Sequence, residues 1–409
     1  MGSKAFPLSR NNLLPKRAPT MRTVLSFEEI RGGAVTDVYF ERTEAILKAK
    51  GFNPITKAEV FLKHFPEGTF GVLAGMEEVL GLLHGVDIDV EALPEGSVFF
   101  AREPVLVLEG PYLSFGRLET ALLGVLSQAS GIATKAARCV KKAMGRPIVH
   151  FGARRMHPAI APMIDYAAYL GGCTGISVSL SAQQMGLTPQ GTMPHALALV
   201  YKDTLEAAMA FDEVIPKDVP RVVLIDTFQD EKFEAIRIAE ALKDRLYGMR
   251  LDTPGSRRGD IALLIREVRW ELNLRGFSHI KIFLSGGLKE EDLTGLSSIV
   301  DVFGVGSEIA SSKPFDFSMD IVEVDGKPLA KRGKESGAKA LLFCPQCLLR
   351  EIAPKRIPFP PCPSCLGKRQ NMLEKALEGG KRLTREIPLK ERPAFVRQGL
   401  ERFQDRLGL

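Results

Sequence analysis

Arg221-Val222-Val223-Leu224-Ile225-Asp226-Thr227 opens the stretch that decides the fold: an apolar run stopping on a carboxylate, followed by an amphipathic segment from Glu231 to Tyr247. The same grammar recurs three times. Met249-Arg250-Leu251 runs into Asp252-Thr253-Pro254-Gly255, His279 to Leu284 into Ser285-Gly286-Gly287, and Val300 to Phe303 into Gly304-Val305-Gly306-Ser307. Helical patterns over Asp260 to Arg275 and from Glu290 separate them. Short apolar strands alternating with helices predict parallel βα units, because parallel strands need a crossover to reconnect. Carboxylates, hydroxyls and glycines collect just past the strand C-termini, where α/β barrels and open α/β sheets place their ligands. The pattern predicts an enzyme that binds a phosphorylated, hydroxyl-rich substrate.

Working outward, Pro147-Ile148-Val149-His150 begins the alternation, and Phe151 to Pro158 follows it with two adjacent arginines, Arg154 and Arg155. Guanidinium groups there suit anions, which they bind bidentately; pairing with surface acids is the plainer role. Thr192-Met193-Pro194-His195 stands just ahead of a helix. His195 is a candidate to hold a proton or accept a phosphoryl group, against simple helix-start packing. Gly304, Gly306 and Ser307, with Gly286 and Gly287 at the neighbouring strand, let bare amides approach a phosphate. Asp226 and Asp252 suit ribose hydroxyls or Mg²⁺ waters, with helix capping as the alternative.

Upstream, a helix over Thr36 to Ala49, a strand at Ala58 to Leu62, and close-set strands at Val86 to Val90, Ser97 to Phe100 and Pro104 to Glu109 predict an antiparallel sheet. Gly71 to Leu83 has helical period, and two further helices are expected over Ser114 to Ala129 and Ala133 to Met144. Asp320 to Pro328 is a strand and turn that rejoins this sheet. The expected organisation is a disordered or extended tail over 1–21, helices with an antiparallel sheet over 22–145 rejoined by about 318–340, parallel βα units over 146–317, and a small C-terminal metal module with a helical tail over 341–409.

The chain has 409 residues and a net charge of +6, unevenly spread. From Lys331 onward there are 18 Lys+Arg against 8 Asp+Glu, so the first 330 residues are net negative. That excess admits nucleic acid, but sparse aromatics and no recognised motif argue for a solvated surface. No apolar run reaches the roughly 20 residues that cross a bilayer. The first twenty residues have no apolar core of a secretory signal, and Phe6 breaks a myristoylation pattern. Of six cysteines, Cys344-Pro-Gln-Cys347 and Cys362-Pro-Ser-Cys365 form two knuckles fourteen residues apart. Four thiolates complete a closed tetrahedral Zn²⁺ site of structural type. This is metal spacing for a reducing compartment, and a cytoplasmic location is expected. Cys139 and Cys173 are expected to fill small apolar sites.

The ordered set of motifs resembles nicotinate phosphoribosyltransferase, in the shorter archaeal and bacterial form with a C-terminal zinc module. It runs from Thr36-Asp37-Val38-Tyr39 through Phe151 to Arg155, Gly191 to His195, Ile225-Asp226-Thr227, Arg250-Leu251-Asp252, Leu284 to Gly287 and Phe303 to Ser307, ending at Val322 to Pro328. The resemblance implies a TIM-like barrel beside an N-terminal sandwich, in a dimer or trimer of dimers with shared sites. It implies phosphoribosyl transfer from PRPP to nicotinate, coupled to ATP, in NAD salvage, with Mg²⁺ accompanying PRPP. Carried over, Tyr39 stacks on the pyridine ring in a partner's site, and Thr192 and Arg250 contact nicotinate. Arg154 meets nicotinate or diphosphate, His195 is the phosphorylated histidine, and Gly286, Gly287, Gly306 and Ser307 hold the 5-phosphate. Asp226 and Asp252 serve ribose and Mg²⁺. Three positions depart from the family: Ala196 for Ser, the long turn from Asp252 to Asp260 for a tight one, and Gly287 for an acid. Quinolinate phosphoribosyltransferase stays open as an alternative. So does a zinc-ribbon nucleic-acid-binding protein with an idle barrel.

Overall fold

The computed structural model describes residues 24–257, 259–355 and 358–407; the expected tail over 1–21 lies outside them. Six parallel strands carry the predicted alternation: β1 (Ile148–His150), β2 (Gly175–Ile176), β3 (Val222–Leu224), β4 (Gly248–Leu251), β5 (Lys281–Leu284) and β6 (Val302–Val305). Their order is β2-β1-β6-β5-β4-β3, the cyclic order of a barrel opened between β2 and β3. An extended segment fills that opening. Gln190 N–H donates to the Ile176 carbonyl of β2 at 2.8 Å, and Met193 N–H to the Val222 carbonyl of β3 at 3.0 Å. The barrel is thus irregular, with a non-strand stave carrying Thr192 between its edges. Val222, Val223, Leu224, Met249, Leu251, Ile282, Leu284, Phe303 and Val305 are all buried, as parallel strands covered on both faces require.

The second layer is a seven-stranded antiparallel sheet. Lys327–Pro328, Phe317–Val324, Ile55–Leu62, Pro104–Pro111, Asp89–Ala92, Glu374–Glu378 and Lys381–Arg382 follow in order across it. Two strands after the cysteine knuckles therefore complete its far edge, so the C-terminal segment is woven into the N-terminal sheet as well as forming its own three-stranded sheet.

One helix, Glu119–Lys142, replaces the two expected between Ser114 and Met144. The helix runs unbroken through Gly131, where a Cβ would lie 2.5 Å from the Lys313 carbonyl oxygen. The helix is a spine between layers. Leu122 and Leu126 enter the sandwich core, and Ile132, Ala133, Ala136 and Cys139 enter the barrel core. Gly71-Val72 also departs from its expected helical period, pairing as a short strand with Val98–Phe99. The helix starts only at Met76, after Gly75 at φ 89°. Cys139 and Cys173 are buried, and burial pushes both thiols up, that of Cys173 to about 12. Among the described residues no helix is long and apolar enough to cross a membrane.

Half-buried Glu119, at the first turn of the spine helix, is held near pKa 7 by desolvation first, then by Asp320, with Lys331 opposing and Asp37 adding to the rise. A carboxyl whose folded pKa exceeds its unfolded value stabilises fully below the unfolded value, and that contribution is lost as pH rises through about 7. Glu119→Gln should therefore raise stability at pH 8.5 by about 1 kcal/mol, a figure reduced for solvent screening and the helix dipole. At pH 4.5 the two proteins should melt together. Equal melting at both pH values would show that Glu119 is not desolvated as described.

Candidate active site

The C-terminal ends of β3, β4 and β5 and the stave before the helix His195–Tyr201 converge on one hydrogen-bonded chain. Arg250, near the end of β4, donates from Nη1 to Thr192 Oγ1, and from Nη2 to Asp252 Oδ2 at 2.8 Å. Ser285 Oγ donates to Asp252 Oδ1 at 2.8 Å, and the Asp252 N–H to Asp226 Oδ2 at 3.2 Å. His195 Nε2 lies 3.1 Å from Asp226 Oδ1, while its Nδ1 is 4.0 Å from Asp252 Oδ2. Because Asp226 can only accept when ionised, the imidazole donates to it from Nε2.

The guanidinium of Arg250 lies 5.9 Å from the centroid of the Phe151 ring. Arg250 Nε is buried without a partner among the described residues, so donors remain beyond those given to Thr192 and Asp252. Phe151 in turn needs Gly304, where a Cβ would meet its ring at 2.5 Å. The adjoining turn is equally tight. A Cβ at Gly152 would stand 2.5 Å from the Gly306 carbonyl oxygen, so the loop carrying Arg154 and Arg155 packs on the loop carrying Gly306 and Ser307. Gly286 and Gly287 adopt φ values of 93° and 68°, open to glycine at little cost. A Cβ on Gly286 would also press on the Asp252 carbonyl oxygen at 3.0 Å.

The structure thus joins Thr192, His195, Asp226, Arg250, Asp252 and Gly286 directly, with Gly304, Gly306, Ser307, Arg154 and Arg155 on adjoining loops. Arg154 and Arg155 are exposed and unpaired among the described residues. Gly287 lies beside Gly286 in the turn after β5. Tyr39 is not brought in. It is 55% exposed, and its contacts are with Asp37, Phe40 and Thr43 of its own helix and cap. Ser285 and Phe151 were quoted in the sequence only as flanking residues. Their side chains prove to brace Asp252 and Arg250, which no local pattern signals. His150 and Asp165 were also missed. His150 is wholly buried and its Nδ1 lies 2.8 Å from Asp165 Oδ1, directly beneath the turn to Arg154.

The four cysteines form a separate cluster. Their sulfurs all lie within 4.8 Å of one another, with two pairs at 3.4 Å. Metal–sulfur bonds of about 2.3 Å imply tetrahedral edges of roughly 3.8 Å, inside that range. The knuckles are built alike. Leu348 N–H donates to Cys344 O and Leu366 N–H to Cys362 O, each at 2.9 Å, and both leucines are left-handed. The set can hold a tetrahedral metal ion.

Comparison with known proteins places this geometry. The quinolinate phosphoribosyl transferase N-terminal domain matches residues 37–130 and the C-terminal domain of the same family residues 132–320. Nicotinate phosphoribosyltransferase pncB2 of Mycobacterium tuberculosis is 32% identical over 331 residues, covering 76% of this chain and 70% of that protein. The chain belongs to the nicotinate phosphoribosyltransferase family. A solved nicotinate-nucleotide pyrophosphorylase from Pyrococcus furiosus is 47% identical to this family member. The two superpose with a TM-score of 0.91 over 94% of this chain and 99% of that one. Human nicotinic acid phosphoribosyltransferase, at 22% identity, shares the fold with a TM-score of 0.76 over 90% of this chain and 94% of that one.

Proposed function

We propose that this chain transfers the phosphoribosyl group of PRPP to nicotinate, giving nicotinate mononucleotide and pyrophosphate in NAD salvage. The observation that carries the reading is the Thr192–Arg250–Asp252 chain at the barrel mouth, a braced guanidinium with donors left for a carboxylate. Arg250 and Thr192 receive the nicotinate carboxylate against Phe151. The amides of Gly286, Gly287, Gly306 and Ser307, with Gly304 leaving room for Phe151, receive the 5-phosphate. Arg154 and Arg155, without side-chain partners among the described residues, face the departing diphosphate. The sugar passes through an oxocarbenium-like state, so orientation and charge stabilisation suffice and no enzyme nucleophile at the sugar is needed. Asp226 and Asp252 offer hard oxygen donors that would hold Mg²⁺ carried in by the diphosphate, and the ion would neutralise leaving-group charge. Tyr39, whose hydrogen bonds among the described residues stay within its own helix and cap, stacks on the pyridine in a partner's site. That reading requires a homo-oligomer, a dimer or a trimer of dimers.

His195 couples ATP hydrolysis to this transfer. Its Nδ1 lone pair attacks the γ-phosphorus, the bond to the β-bridging oxygen breaks and ADP leaves. Asp226 holds the Nε2 proton throughout. Incubation with ATP should leave an acid-labile phosphate on the wild-type chain and none on His195→Ala.

Zn²⁺ in the cysteine cluster is structural, since four sulfurs leave no position for water. The purified protein should contain about one zinc per chain. Cys362→Ser should lower the melting temperature while leaving kcat of the remaining folded enzyme within about twofold, because the cluster stands apart from the barrel-mouth chain. A fall in kcat without any loss of stability would contradict the structural role.

A second reading rests on the matched domain family: quinolinate as the base, its second carboxylate met by Arg154 or Arg155. Offering nicotinate, nicotinamide and quinolinate separately with PRPP and Mg²⁺, with and without ATP, distinguishes the readings. Nicotinate mononucleotide from nicotinate alone supports the first, and CO₂ released with quinolinate supports the second.

A further inference from the structure

The opposite end of the barrel carries a cleft of about 440 Å³ that the transfer chemistry does not use. It lies at the N-terminal ends of β1 and β6, between Arg146 and the 298–301 turn, and is walled by the helix Ile261–Leu274. Arg266, Arg269, Trp270 and Asn273 of that helix line it. Trp270 is the only tryptophan in the chain and is 70% exposed. Among the described residues no ring stacks on its indole. Arg266 is exposed, and its side chain makes no hydrogen bond or ion pair with a described residue.

The charge is one-sided. Asp301 is the cleft's single carboxylate. Arg269 Nη2 lies 3.2 Å from it, Lys281 Nζ 3.8 Å and Arg146 Nη1 4.0 Å. Arg146 also donates to the Ser297 carbonyl at 2.7 Å, and Arg269 to that of Ile280 at 2.8 Å, contacts that leave their charge uncompensated. The nearest acids on the same helix are engaged elsewhere, Glu267 with Lys232 and Glu271 with Arg275. Arg146, Arg266 and Arg269 set three cations against one carboxylate in the cleft, which focuses positive potential on a concave surface. An exposed indole beside them supplies a stacking plane, and Asn273 an amide able to donate and accept. The volume falls in the range of small-molecule sites.

We propose that this cleft binds a nucleoside phosphate, its base laid on Trp270 and its phosphates toward Arg266. The site is independent of the barrel-mouth chain, which lies at the other end of the same strands.

The single tryptophan is its own reporter. Full-length zinc-loaded protein is titrated with ATP, AMP, adenosine and inorganic tripolyphosphate while Trp270 fluorescence is followed. Saturable quenching by ATP and AMP is expected, with adenosine binding more weakly and tripolyphosphate quenching little. Arg266→Glu should weaken the ATP response by about tenfold or more, the effect of reversing one phosphate-facing charge. Its phosphoribosyl transfer should be unchanged without added nucleotide. Calorimetry should show one ATP site per chain weakened by the same factor in that variant, with binding at the barrel mouth unchanged. No saturable quenching up to millimolar ATP, quenching unaltered by Arg266→Glu, or tripolyphosphate matching ATP would each overturn the proposal.

Discussion

Arg250→Ala should reduce kcat/KM for nicotinate by about 10²–10³-fold, equivalent to roughly 3–4 kcal/mol of lost transition-state stabilisation. The expectation follows from what surrounds the guanidinium. Thr192 and Asp252 engage one donor each, Phe151 lies across its face, and Nε is buried without a partner among the described residues. A base carboxylate entering this pocket leaves water and depends on a charge-assisted pair in return, so removal of the cation strands it. Stability should hardly move, because Arg250 is only part-buried and its partners can turn to solvent. Arg250→Lys should recover little, since an ammonium cannot reproduce the fork that meets Thr192 and Asp252 together. Thr192→Val should cost less than Arg250→Ala, because the guanidinium keeps its charge and its bond to Asp252. Nicotinate kinetics unaltered in Arg250→Ala would remove the residue from the base pocket.

The second large effect concerns stability. Glu103→Ala should destabilise the protein by about 3–5 kcal/mol, the cost of leaving a buried charge without its partner. The stranded group is Arg350, just past the first cysteine knuckle and 7% exposed. It pairs with Glu103, donates from Nη1 to the Val98 carbonyl at 2.9 Å, and lies between the rings of Phe100 and Phe403 at 5.2 and 5.0 Å. Glu103 also accepts from the Phe100 N–H at 2.8 Å. Burial pushes its carboxyl up, and Arg350 opposes that rise. The pair therefore ties the cysteine segment, the sandwich and the C-terminal helix Arg392–Arg402 at one point. Restoring neutrality with Glu103→Ala and Arg350→Met together should recover part of the loss. Denaturant melts of the single and double variants measure this. A loss under 1 kcal/mol in Glu103→Ala would show that the cysteine segment is an appendage.

Much of the barrel was legible because its signals are local. Apolar runs ending in Asp226, in Asp252 and in the glycines at 286–287 and 304–306 place strand tips by periodicity and composition alone. The missing information was contact over long sequence separations. The spine helix runs unbroken through Gly131, packed on the Lys313 carbonyl far along the chain, where two separate helices are expected from local pattern. The stave over Gln190 to Met193 has no strand pattern because its hydrogen bonds reach two different strands. Ser285 and Phe151 gain their roles only when β5, β4 and β6 lie side by side, and no spacing within one segment encodes that. The strand Glu374–Glu378 reads as part of a C-terminal module, yet its partner is Asp89–Ala92, with Glu374 paired to Ala92, 282 residues earlier.

Crystals grown with nicotinate mononucleotide test the central claim most directly. The account predicts the pyridine carboxylate against Arg250 and Thr192 beside Phe151, with the 5-phosphate on the amides of the 286–287 and 306–307 turns. A nucleotide bound at the barrel mouth with its carboxylate turned away from Arg250, or with its phosphate off both glycine turns, would contradict it.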